Sequence, residues 1–224
     1  MKNQLFEDLR RSQLSEEAIF QKFFVSGETF FFDKIWQNKD DEWNLKSSIA
    51  KALSVSINEI YIVGSSKTGF SMNPQKMGFS FDESYLKSGE EKDKSDIDVA
   101  IVSEPLFDNL ANLLFRYTRQ YREKWVENHI YRKDKFDVPL CFKFLEYLAK
   151  GWFRPDMKPI GFNYPDSQKP IEHDLRVWKN HFSRKVSHAV YRNWFYFREY
   201  HLLNIVELKS KIISGEIVWH KQTV

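Results

Sequence analysis

The sequence predicts an α/β (α+β) fold: a small mixed sheet flanked by helices, with a helical C-terminal part. Three observations lead there. Two runs rich in β-branched residues, Ile60-Tyr61-Ile62-Val63 and Ile97 to Val102, read as buried strands of a parallel or mixed sheet. The first runs straight into Gly64-Ser65-Ser66-Lys67-Thr68-Gly69, a turn rich in hydroxyls and closed by glycine. After the second, Leu106, Leu110, Leu113, Leu114, Tyr117, Tyr121 and Trp125 recur at spacings of three and four, which predicts a long helix from about 107 to 127. A chain of 224 residues suffices for one large domain or a core with a helical appendage.

From the start of the chain, residues 3–35 carry a helical pattern. Ser15 before Glu16 and Glu17 marks a helix start, and Ala18, Phe20, Phe23 and Phe24 follow at roughly helical spacing. Phe30, Phe31 and Phe32 are adjacent, so they cannot all face one side of any element. They pack against a second surface, or some of them stack on bases. Asp40-Asp41-Glu42 opens the next helix, where acids suit the positive end of the dipole, and Trp43, Leu45, Ile49, Ala50 and Leu53 give it an apolar stripe. Residues 72–94, between turn and second strand, hold Asn-Pro, two glycines and a charged tail, and read as a loop. A lid, an acceptor-binding flap and an idle excursion all fit that composition. Lys135 to Leu140 is a further candidate strand, with Pro139 assigning it to an edge or an end. Trp152-Phe153 is a short one before Pro155. Residues 157–171, with Pro159, Gly161, Pro165 and Pro170, read as a connector, and 172–213 as helical. The expected division is therefore a core over 1–156, the connector, a helical region over 172–213 and a tail over 214–224.

Composition narrows the classes. No run approaches the length of a membrane span, and the first residues lack a signal-peptide core, so the expected location is cytoplasmic. A single cysteine, Cys141, leaves no intramolecular disulfide and no cysteine cluster for zinc. Residues 1–129 hold 17 Lys and Arg against 21 Asp and Glu, a balance of −4; residues 130–224 hold 17 against 10, a balance of +7. A basic second half suits a polyanion such as RNA, DNA or a triphosphate tail, and suits solvated helix faces equally.

The chemistry concentrates between 60 and 102. Asp96 and Asp98 stand two apart at a strand start, so both carboxylates project from one face while Ile97 and Val99 turn to the core. Like charges held that close repel unless a cation lies between them, and oxygen-only ligands suit Mg²⁺. The combination Val63, Gly64, Ser65 … Asp96, Ile97, Asp98, Val99 resembles the signature of the DNA-polymerase-β-type nucleotidyltransferase superfamily, with Gly69 at its second small position. Here the insert 72–94 makes the spacing longer than in compact members.

That resemblance implies a magnesium-dependent (or Mn²⁺-dependent) enzyme. It would move a nucleotidyl group from ATP or another nucleoside triphosphate to a hydroxyl on RNA, a protein or a small molecule. Asp96, Asp98 and a third carboxylate would hold the metals; Asp137 is the first candidate for that third position and Asp156 the second. Gly64, Ser65, Ser66 and Lys67 would bind the triphosphate. Two other readings stand beside it: a nucleotide- or RNA-binding module of the same fold without chemistry, and a helical ribonuclease. The second rests on Arg176 and His181, whose Arg-four-residues-His spacing resembles the HEPN ribonuclease motif and is expected to put both on nearly one helix face.

Overall fold

A four-stranded mixed sheet with helices on both faces organises the chain, which the computed structural model describes at residues 2–11, 14–74, 76–125, 130–131, 138–159 and 161–217. The elements in order are α1 (Lys2–Arg11), α2 (Glu16–Ile19), α3 (Lys39–Leu53), β1 (Ile60–Val63), α4 (Gly64–Thr68), α5 (Glu83–Ser88), β2 (Ile97–Val102), α6 (Glu104–Tyr117), β3 (Ile130–Tyr131), β4 (Val138–Pro139), α7 (Leu140–Ala149), β5 (Trp152–Phe153), α8 (Pro170–Phe182), β6 (Val186–Tyr191) and α9 (Trp194–Ile213). The sheet runs β1-β2-β6-β5. Its outer pairs are antiparallel and its central pair, β2 with β6, is parallel. β3 and β4 form a separate two-stranded ribbon. Among the described residues, no helix is long and apolar enough to cross a membrane.

Alternation along β2 divides the core into two layers. Ile97, Val99 and Ile101 face a cluster with Leu45 and Ile49 of α3, Leu110 and Leu114 of α6 and Phe182 of α8. Ala100 faces the other way, joining Tyr191 of β6, Phe197 of α9, Phe20, and Leu5 and Leu9 of α1. Each fully buried side chain of this size contributes roughly 1.5–3 kcal/mol. The N-terminal phenylalanines belong to this packing. Ser15 caps α2 through the Ala18 N–H at 3.2 Å, and two π-helical turns, Phe20–Val25 and Phe31–Ile35, follow. Phe31 and Phe32 are buried against Phe182, so these rings belong to the core.

Four differences from the sequence expectation bear on the site. First, β6 lies inside the stretch 172–213 read as helical, yet it pairs with β2 at the centre of the sheet. Second, the long helix stops at Tyr117. Thr118 Oγ1 donates to the Leu114 carbonyl and accepts the Tyr121 N–H, while Arg119, Gln120 and Tyr121 all take positive φ. Tyr121 and Trp125 still pack on the core, but from a turn. Third, the segment 72–94 is not a bare loop. It contains α5 and a 3-10 turn at Glu91–Asp93, and Met72, Met77 and Phe81 are buried. Fourth, of the strand expected at 135–140, residues 135–137 lie outside the described residues; Val138–Pro139 form β4, and Leu140, read as strand, instead opens α7.

Candidate functional site

β1 ends at Val63, which stands opposite Asp98 in the antiparallel register. That register delivers the next residue, Gly64, against the carboxylate. A Cβ built on Gly64 would lie 2.8 Å from Asp98 Oδ2, and Gly64 has φ +65°. Both facts demand glycine. Gly64→Ala is therefore expected to displace either the bend or Asp98. Left-handed strain of about 1–2 kcal/mol, before the contact is counted, corresponds to a melting temperature lowered by about 5 °C. A melting curve matching the wild type would contradict it.

The bend continues as α4, five residues closed by Gly69 in the left-handed region at φ +85°. Ser65 is half-buried, and its hydroxyl has no hydrogen-bond partner among the described residues. The other two expected phosphate binders turn inward. Ser66 is fully buried and donates to the Val63 carbonyl at 2.8 Å. Lys67 is buried too, with Nζ donating to the Gly27 carbonyl, and burial pushes its pKa down to about 8. It is a strut between the bend and the N-terminal helices, and not a charge offered to a ligand. The reason is helical geometry: in so short a helix, consecutive residues cannot all face the same cleft.

Asp96 and Asp98 share a face, as their spacing of two predicts, while Ile97 and Val99 are buried on the other. The parallel neighbour β6 places Ser187 opposite Asp98, and the serine hydroxyl donates to Asp98 Oδ1 at 2.5 Å. One residue before β6, Lys185 Nζ lies 3.0 Å from Asp96 Oδ2. Burial pushes the Asp98 carboxyl above its ordinary pKa, and the Asp96 charge adds to that, while the serine bond opposes it. Desolvation therefore favours the neutral form of Asp98, and the Lys185 ammonium already faces the Asp96 charge.

Of the two candidates for the third carboxylate, the first, Asp137, lies outside the described residues. Asp156 sits on the turn after β5, where Arg154 holds it through Nη2 at 2.7 Å and Nε at 3.2 Å. Among the described residues, no three His, Cys, Asp or Glu side chains converge. The donor set still fits one Mg²⁺ (or Mn²⁺), which binds through one or two carboxylates and completes its shell with waters and substrate phosphates.

The insert 72–94 is fastened beside this site. Arg184 makes a two-pronged bond to Asp82, at 3.0 Å for each oxygen, and also donates to the Ser95 carbonyl at 2.8 Å. Ser95 and Asp82 bond reciprocally, each backbone N–H to the other's side chain at 2.8 Å. Asp96 follows Ser95 directly. Sequence reasoning missed Ser187, Lys185 and Arg184; the alternation of Val186, His188 and Val190 with Ser187, Ala189 and Tyr191 is the signal that finds their strand.

Arg176 and His181 are not brought together. Five positions apart on α8, at 3.6 residues per turn, they stand roughly 140° apart around the axis. His181 instead bonds Asp41 of α3 at 3.0 Å and packs edge-on against Trp36 and Trp178.

No protein-family model, no curated protein and no solved structure matches this chain.

Proposed function

We propose that the chain is a metal-dependent nucleotidyltransferase that takes a nucleoside triphosphate from the cytoplasm and transfers its nucleotidyl group to a hydroxyl acceptor. The observation that carries the reading is the β1–β2 register, which sets Gly64 against Asp98 with Asp96 on the same face. This geometry is what the resemblance to the nucleotidyltransferase signature requires of those residues.

Asp96 and Asp98 would hold the cation. When bound, it supplies charge neutralisation for the triphosphate and lowers the pKa of the acceptor hydroxyl. The protein's own part is positioning. Gly64 admits the backbone close to the phosphates, and the half-buried Ser65 hydroxyl would bind phosphate oxygens. Ser187 keeps Asp98 in one rotamer through its 2.5 Å bond. In the transfer, the acceptor oxygen bonds to the α-phosphorus, the bridge between α- and β-phosphates breaks, and pyrophosphate departs. Alignment of those atoms accounts for most of the expected acceleration.

Purified protein given Mg²⁺ and labelled nucleoside triphosphates is expected to release pyrophosphate. Asp96→Ala and Asp98→Ala are each expected to lower that rate by about 100-fold or more. Undiminished release by the double variant would sink the proposal.

One observation favours a second reading. Ser187 of β6 bonds Asp98, and Lys185, one residue before that strand, bonds Asp96, so the pair's neighbours from this side are a hydroxyl and an ammonium. A nucleotide-binding module without turnover fits that arrangement. It predicts magnesium-dependent nucleotide binding, lost in Asp98→Ala, with no pyrophosphate released.

A further inference from the structure

The two acids of the pair face different neighbours. Asp98 adjoins the Gly64 bend, whereas Asp96 lines an open cleft of about 550 Å³. One wall of that cleft is the end of the insert, with Glu91, Lys92 and Lys94; the other is the last turn of α8 and the approach to β6, with Lys179, Arg184 and Lys185. Five basic residues therefore line it against two acids, Glu91 and Asp96. Cleft and insert are a unit, because the buried Arg184–Asp82 bond ties the two walls together.

Two of the basic groups at the rim are weakly committed. Lys92 pairs with Glu90 while 75% of its side chain is exposed. An exposed pair of this kind is worth about 0–1 kcal/mol, so a phosphate replaces the carboxylate at little loss. Lys94 is held more firmly: its side chain is 17% exposed, pairs with Glu91 and lies over the Tyr85 ring. Lys179 is exposed and has no acidic partner among the described residues. A cation-lined approach to a carboxylate that handles a hydroxyl selects a compound carrying both a hydroxyl and dense negative charge. The end of a nucleic-acid strand has that chemistry.

We propose that this cleft binds a single strand of nucleic acid, its phosphates lying along Lys92, Lys94 and Lys179 and its terminal hydroxyl directed to Asp96. Only the strand's role as acceptor rests on the nucleotidyl-transfer reading; the binding stands on the cleft itself.

Fluorescence anisotropy with labelled single-stranded RNA and DNA twelve-mers of one sequence tests it at 50 and 200 mM salt. Wild-type protein is expected to bind at least one of them, with affinity falling steeply as salt rises. Lys92→Glu with Lys179→Glu is expected to weaken binding by about tenfold or more and to lower the salt slope by about 1.4, or 0.7 for each lost phosphate contact. The same variant is expected to keep the wild-type melting temperature and magnesium-dependent nucleotide binding. The difference between RNA and DNA affinity identifies which strand is the ligand. No binding at 50 mM salt, or equal binding by the double variant, overturns the proposal. Displacement by tripolyphosphate at matched phosphate concentration also overturns it, by giving the cleft to the donor's own phosphates. Strand binding without pyrophosphate release would leave the cleft standing and remove the enzyme.

Discussion

Acidification from pH 7 to pH 5 is expected to remove about 4 kcal/mol of stability, and two histidines, the buried His201 and the half-buried His188, account for it. His201 of α9 is almost wholly buried among Phe20, Phe24 and Phe197, and its Nε2 has no hydrogen-bond partner among the described residues. Burial pushes its pKa down to about 3. His188 of β6 pairs with the Tyr164 hydroxyl at 2.8 Å, and burial lowers its pKa to about 4, against a smaller opposing pull from Asp156. In the unfolded chain both would titrate near 6.5. Between that value and the folded one, the unfolded state binds a proton that the folded state refuses, so stability is full above pH 6.5 and declines as pH falls. Each histidine withdraws about 1.4 kcal/mol per pH unit in that window. A domain of this kind has only about 5–15 kcal/mol to lose. Asp98 works in the opposite sense, because its raised pKa makes the folded state the better proton acceptor. Urea denaturation at pH 7 and pH 5 measures the difference. His201→Phe removes one contribution and one unpaired buried nitrogen, so it is expected to match or exceed the wild type at pH 7 and to lose about half as much on acidification. Wild-type and variant stabilities falling in parallel would show that this histidine is not the sensor.

The same histidines mark where sequence reading succeeds and where it fails. Asp96 and Asp98 are legible because a β pleat has a period of two, so two acids alternating with Ile97, Val99 and Ile101 point to the opposite face from them. The partnership of Gly64 with Asp98 is only half legible. The types and order of residues suggest it, but contact depends on a register that places Val63 opposite Asp98. β6 was obscured by its own surroundings. Val186 to Tyr191 is short, it holds a serine, a histidine and an alanine, and it lies between two helices whose apolar spacing runs up to it on both sides. Its assignment as a strand depends on pairing with β2, a non-local event. Lys67 shows a different limit: a lysine in a glycine-serine turn has the composition of a phosphate ligand, yet the rotation of a five-residue helix sends it into the core. Alternation finds faces; partners across 89 positions, such as Ser187 and Asp98, come only from the fold.

The Arg184–Asp82 pair is the contact whose loss is expected to cost most. Its side chains are 8% and 16% exposed, and the guanidinium lies between the rings of Phe31 and Phe81, 5.1 and 4.9 Å from their centroids. Removing one partner of such a pair strands the other charge away from water, at about 3–5 kcal/mol. Asp82→Asn isolates that effect. Asp82 has φ +62°, a conformation asparagine tolerates, so the backbone is undisturbed while the charge is lost. The melting temperature is expected to fall by about 10 °C. Cleavage by a protease within 83–94 is expected to accelerate, because this pair fastens the insert to Ser95 and to the approach of β6. Arg184→Met combined with Asp82→Asn leaves no stranded charge and is expected to recover most of the loss, as buried pairs replaced by apolar groups commonly do. The coupling between the two substitutions, read from the double-mutant cycle, is therefore expected to be favourable by more than about 1 kcal/mol. Additive losses would mean that the arginine gains its stability from the two rings alone, and that the insert is held by Met72, Met77 and Phe81 instead.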